Sequence, residues 1–384
     1  MVKDFSLTKS GLLNKLLLRL GLAETTPKGY AKRSLAIIGI TWLPLLLLSA
    51  LQGTAFGDVV QITFLKDFAV HTRFLLVIPL LTFAESVVDL RLKELTAQFF
   101  KAGILGENDL AGYEKLKKST RQLSESLLAD VLMLLIVAAN ITIRWVEKSH
   151  ELSHWMLAPG EQTGISWAGV WYIGFSLPVL QFIILRWLWR WVIWFIYFYK
   201  ISKMPLKLNP AHPDLAGGIG FLGMPPAPFF QVTLALAVLF AAAIAQQIAF
   251  LHRPLSGYYM IMGGYVLFSI LLNVLPLLVF MNPLLIHRRR GVFEYSALIQ
   301  KSHGQFDEKW LDKNAEEGLP DNKDVSTLAA FNLSFNAISS MRIIPFDLKI
   351  MASSIILAIL PMVPLFAFEY NWLDLLSNIF SLLF

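Results

Sequence analysis

The sequence predicts an all-α polytopic membrane protein, with about seven transmembrane helices (alternatively six) and a small helical cytoplasmic region. Three observations carry that prediction. Mean hydropathy is +0.58 and 56% of the 384 residues are hydrophobic, above the apolar share of soluble domains. The apolar residues come in membrane-length blocks with charges compressed between them. The positive residues between the blocks also sort to alternate sides. That sorting explains the net charge of +6 without a nucleic-acid partner. The chain has no cysteine, so disulfides, thiolate metal sites and cysteine nucleophiles are excluded.

Residues 1–33 are expected to form a cytoplasmic N-terminal segment. Leu12, Leu13, Leu16, Leu17 and Leu20 share one helical face, with Lys9, Lys15 and Arg19 away from its centre. This is a basic amphipathic helix, suited to an anionic membrane surface or to the protein's own cytoplasmic side. Lys15 and Arg19 interrupt the apolar stretch, and no small-residue cleavage site follows, which argues against a signal peptide.

The bundle occupies 34–286, with spans near 34–53, 74–92, 125–146, 167–199, 229–251 and 258–286, and a last span near 350–370. Lys28, Lys32, Arg33, Lys93, Lys101, Lys115, Lys117, Lys118, Arg121, Lys200, Lys203, Lys207 and the run His287-Arg-Arg-Arg290 fall on one side. Lys66, Arg73, Arg144, Lys148 and Arg253 fall on the other. The positive-inside rule then places the N-terminus in the cytoplasm. The stretch 54–72 reads as an outer surface helix. Residues 287–349 suit two or three cytoplasmic helices, with Gly318-Leu-Pro-Asp-Asn as a turn and Asp307-Glu308-Lys309-Trp310 as a solvated face or docking surface. The segment 350–384 holds the last membrane helix and an interfacial tail. Pro361 and Pro364 allow a re-entrant hairpin there, which gives the six-span alternative.

Polar groups converge inside the apolar blocks. Glu85 lies ~16 Å into its span and Asp89 ~7 Å from the cytoplasmic edge, while Asp130 and Asn273 come to similar depths on other spans. Ionisable residues at such depth face a bundle interior or a water-filled cavity. They read as an acidic cytoplasmic vestibule on an ion path, or as interhelical glue. Arg186 and Arg190, among Trp187, Trp189, Trp191 and Trp194, read as an interfacial aromatic belt with snorkelling arginines, or, for Arg186 alone, as a partner of Asp89 or Asp130 across helices. Prolines 44, 79, 178, 276 and 361 kink spans and free carbonyls that could line a pathway.

The stretch from Leu208 to Pro228 is rich in glycine and proline. Gly218, Gly220 and Gly223 match G-x-G-x-x-G, but no strand precedes them and Pro225-Pro226 follow, so a dinucleotide site is rejected. His212 and Asp214 are too few for a metal site. Asp214 is expected to accept backbone N–H bonds in the turn built by Gly217, Gly218 and Gly220, with His212 beside it, as a plug or gate. The pattern His212-Pro-Asp-Leu-Ala-Gly-Gly-Ile-Gly-Phe-Leu-Gly223 resembles a motif of uncharacterised bacterial multi-pass membrane proteins. That resemblance implies a bacterial inner-membrane setting.

Three functions compete. The first is a channel or transporter-like conduit for ions or small solutes, a homo-oligomer in anionic lipid. The second is a non-transporting sensor or scaffold subunit whose 288–349 region docks a cytoplasmic protein. The third is a lipid-modifying enzyme using His212 and Asp214. No residues are assigned as catalytic, and no metal or cofactor is implied.

Overall fold

The structure, a computed structural model, describes residues 26–146, 154–158, 164–224, 228–311 and 322–369, with isolated positions near the N-terminus. The expected amphipathic helix at 12–20, the turn at Gly318 and the interfacial tail after Trp372 lie outside the described residues. Helix α1 spans Pro27–Leu51, α2 residues 68–101, α3 Leu110–Ser124, α4 Leu127–Val146 and α5 Trp167–Ser202. Helix α6 spans Phe230–Leu251, α7 Tyr259–Leu278, α8 Met281–Trp310, α9 Asn322–Ser339 and α10 Leu348–Ile359, which continues as 3-10 helix over Leu360–Phe368.

Six helical stretches are long and apolar enough to cross a membrane: Pro27–Leu51, Glu107–Ile143, Trp167–Ser202, Phe230–Leu251, Leu255–Leu278 and Leu348–Phe368. The span expected near 74–92 is not among them. It lies on α2, which carries Glu85, Asp89, Arg91, Lys93 and Glu94 within a few turns. Helix α2 nevertheless runs the length of the bundle. At one end Phe68 stacks on Phe250 at 5.8 Å; at the other Phe99 meets Phe221 at 5.4 Å and Phe280 at 6.2 Å. Charge is tolerated because α2 is central: it packs on α1 and α6 and buries Leu81, Ala84, Val88, Leu92 and Phe99. The last span is no re-entrant hairpin among the described residues. Pro361 and Pro364 tighten it to 3-10 helix, which continues along α6. The stretch 54–72 is no surface helix either: turns and a short 3-10 segment, Phe64–Lys66, precede the start of α2.

The bundle has two unlike ends. The far end gathers residues 52–67, 154–158 and 252–258. The basic end gathers the turn after α2, the 203–224 loop and residues 340–346. Helix α5 is the central post, packed against α1, α3, α4 and α7.

Two of the proline kinks are consumed within the bundle. A proline at position i leaves the carbonyl of i−4 without its helical donor. Pro44 does this to Ile40, whose oxygen accepts the Trp171 indole N–H at 3.3 Å. Pro276 does it to Leu272, whose oxygen accepts the Trp191 indole N–H at 2.6 Å. Both donors come from α5. The carbonyls expected to line a pathway here serve as helix–helix ties.

Candidate functional site

A cluster of buried charges sits in the basic half of the bundle, on four helices. Glu85 of α2 takes two guanidinium groups, one on each carboxylate oxygen: Arg33 of α1 on Oε2, and Arg190 of α5 on Oε1 at 2.8 Å. Arg186, one turn along α5, donates to Asp130 Oδ1 of α4 at 2.8 Å. Asp89 is buried one turn from Glu85. Arg33, Arg186 and Arg190 thus face Glu85, Asp89 and Asp130 with net charge zero. All six are no more than 8% exposed.

This arrangement corrects two expectations. Arg186 and Arg190 do not snorkel to an interface; they point inward, with Arg190 stacked 4.8 Å from the Trp187 ring. Glu85 and Asp130 do not line an open acidic vestibule, since arginines cover them. Arg33 was assigned to the cytoplasmic tail because the first span was expected to begin at 34. Thr26 instead caps α1, accepting the Gly29 N–H at 3.0 Å on Oγ1, with Pro27 in its first turn. That early start carries Arg33 about 9 Å into the helix, where it reaches Glu85. Asn273 does not join the acids: it donates to Thr233 Oγ1 at 3.1 Å and to the Ser269 carbonyl at 2.9 Å, tying α7 to α6.

The glycine–proline loop is a second polar centre, at the basic end. Asp214 accepts the N–H groups of Ala216 at 2.8 Å, Gly218 at 3.1 Å and Gly220 at 2.8 Å, and its Oδ1 lies 2.8 Å from His212 Nδ1. Partial burial pushes the Asp214 carboxyl upward. The three backbone donors and His212 outweigh that and hold it below its ordinary value. Gly217 and Gly218 adopt φ of +67° and +94°, which only glycine enters freely. Arg342 clamps the loop from outside: its N–H donates to the Leu215 carbonyl at 2.7 Å and its Nη2 to the Asp214 carbonyl at 2.9 Å. A Cβ on Gly223 would stand 2.3 Å from the Phe346 Cα, and one on Gly291 would stand 2.7 Å from Pro210. The loop therefore joins the base of α8, the segment before α10 and the turn after α2. Its His–Asp pair is committed to holding the turn.

Sequence reasoning missed a third centre, at the far end. Asp67 caps α2 through the Val70 N–H at 3.2 Å and accepts from the Trp155 indole at 3.0 Å and Gln246 at 3.3 Å, with His154 Nε2 at 3.3 Å. Burial raises the Asp67 carboxyl, but the bond and charge of His154 and the Trp155 bond hold it below its ordinary value. Nearby His71 accepts from the Trp42 indole at 2.9 Å, and Arg73 donates to Tyr172 at 2.5 Å. An Asp directly before a helix start was a legible cap signal; its partners, 88 and 179 residues away, were not. Trp155 is wholly buried at this centre.

Three cavities border these regions. One of about 10 Å³ sits beside Asn273 and Pro276. One of about 300 Å³ sits between Arg91, Glu94 and Phe221, and one of about 560 Å³ between Tyr199, Lys203 and His287. Glu85, Asp89 and Asp130 line none of them. Among the described residues, no group of three or more His, Asp or Glu side chains could hold a metal. No protein-family model, curated protein or solved structure matches the chain.

Proposed function

We propose that this chain is a non-transporting subunit of a bacterial inner membrane, with its basic end in the cytoplasm, where the α8–α9 hairpin docks a soluble protein. The observation that carries this reading is the hairpin itself. Helix α8 buries only Leu284 and Gly291, and α9 only Ile338. From Gly291 to Trp310 it therefore projects about 28 Å with α9 as its packing partner. Lys309 and Trp310 both bond Asp324 Oδ2 at 3.0 Å and pin its tip. The hairpin nevertheless leaves Phe293 77% and Leu333 70% exposed. Large apolar side chains exposed on both helices of the hairpin favour a binding face.

The conduit reading has kinked spans and buried acids in its favour. The pairing of Glu85 and Asp130 with arginines weighs against it, because a cation path needs carboxylates open to water. Lipid chemistry at His212 and Asp214 lacks support, since Asp214 is saturated with backbone donors.

The test uses the full chain extracted from its native membrane. Wild type should elute with a stoichiometric second polypeptide. Phe293→Asp with Leu333→Asp should release it at unchanged melting temperature. A wild-type chain that elutes alone, or a complex indifferent to the double substitution, overturns the reading. A mass of two identical chains assigns the face to self-association and overturns it too.

A further inference from the structure

We propose that the 560 Å³ cavity at the basic end, between α5, α7 and α8, binds one anionic phospholipid with its phosphate at Lys203 and a headgroup hydroxyl at His287. The proposal is independent of the docking reading. The cavity arises because α5 and α7 are tied above it and part below. The tie is the Trp191 indole bond to the Leu272 carbonyl freed by Pro276. Beneath it, α7 ends at Leu278 and the chain turns at Phe280 into α8. The gap falls at the last turns of two membrane-length helices, the level at which a headgroup meets its acyl chains.

The lining divides by chemistry. Phe195, Leu275, Leu278, Val279 and Ile286 give an apolar wall, while Ser202, Lys203, Asn282 and His287 give a polar rim without a carboxylate. Lys203 has no ion-pair partner among the described residues, and its Nζ stands 5.3 Å from the Tyr199 ring centroid. His287 Nδ1 lies 2.8 Å from the Pro283 carbonyl. A carbonyl only accepts, so Nδ1 holds a proton and the Nε2 lone pair is left to accept from a headgroup hydroxyl. Two of the three arginines that follow His287 are engaged elsewhere: Arg288 with the Ser339 carbonyl, Arg290 with Glu294. A free anion has no use for the apolar wall, and a neutral hydrocarbon has none for an unpaired lysine. An amphiphile with an anionic head uses both, and the volume lies within the range of ordinary ligand sites, about 300–1,000 Å³.

Native mass spectrometry of the full chain, released from bilayers of phosphatidylglycerol and phosphatidylcholine with matched acyl chains, tests this. Phosphatidylglycerol should be retained at one per chain in clear preference to phosphatidylcholine. Lys203→Ala should reduce retention about fivefold, the equivalent of about 1 kcal/mol for one basic residue at an anionic surface. Lys203→Arg should keep it. Leu278→Trp, which fills the apolar part without altering charge, should also expel the lipid, so the test survives an unfolded lysine variant. Equal retention of both lipids, or retention indifferent to Lys203→Ala and Leu278→Trp, overturns the proposal. Millimolar inorganic phosphate should not displace the lipid; displacement would assign the site to a free phosphate instead.

Discussion

Glu85→Gln is the perturbation that separates a clamp from a conduit. The side chain keeps its shape and loses its charge, leaving Arg33 and Arg190 facing a neutral amide in a buried site. Breaking one buried ion pair by removing a partner costs about 3–5 kcal/mol. Here one carboxylate serves two guanidiniums, so the upper half of that range applies. Unfolding entropy of about 2.1 cal/mol/K per residue over 384 residues gives about 0.8 kcal/mol/K. A loss of 4–5 kcal/mol then lowers the melting temperature by about 5–6 °C. Helices that stay folded in the membrane reduce that entropy, so the measured shift should be at least this large. Thermal melting in detergent by tryptophan fluorescence reads it directly. Glu94→Gln is the internal control: its Arg91 partner lies at 2.7 Å on the exposed face of α2, where a pair contributes about 0–1 kcal/mol. A Glu85→Gln protein that melts within 1 °C of wild type refutes the clamp.

Other outcomes follow from the same contacts. Asp214 sits below its ordinary pKa in the folded chain, so its contribution is present above about pH 3.9 and is lost as pH falls through the depressed folded value. Melting curves from pH 7 to 3 should show that loss in wild type. Asp214→Asn should be less stable at pH 7 and lack that component of the acid loss. Gly223→Ala forces a methyl into the Phe346 backbone and should cost about 1–3 kcal/mol, with faster proteolysis of the 208–224 loop. Trp191→Phe strands the Leu272 carbonyl and should cost about 1–3 kcal/mol, read by the same melts.

The helices were legible because membrane-length apolar runs and turn residues are local signals. The second expected span, 74–92, failed that criterion because Glu85, Asp89, Arg91, Lys93 and Glu94 lie on α2, charges tolerated because other helices surround it. Depth counted at 1.5 Å per residue brought Glu85, Asp89 and Asp130 to one level, and a pairing of Arg186 with an acid was one of two readings. It could not choose between them, since helix rotation is set by packing across the bundle. Arg33 was lost to a boundary error of a few residues. The spacing of glycines after Asp214 made its turn readable, whereas the Arg342 clamp joins residues 128 apart and left no local trace. Proline positions were plain, but the tryptophans that fill their freed carbonyls belong to another helix.

The most direct test of the account measures ion flux through the purified chain in liposomes, under both a concentration gradient and an applied voltage. Glu85 and Asp130 committed to arginines predict flux no greater than that of protein-free liposomes. A flux that Glu85→Gln or Asp130→Asn alters in a folded protein would contradict it.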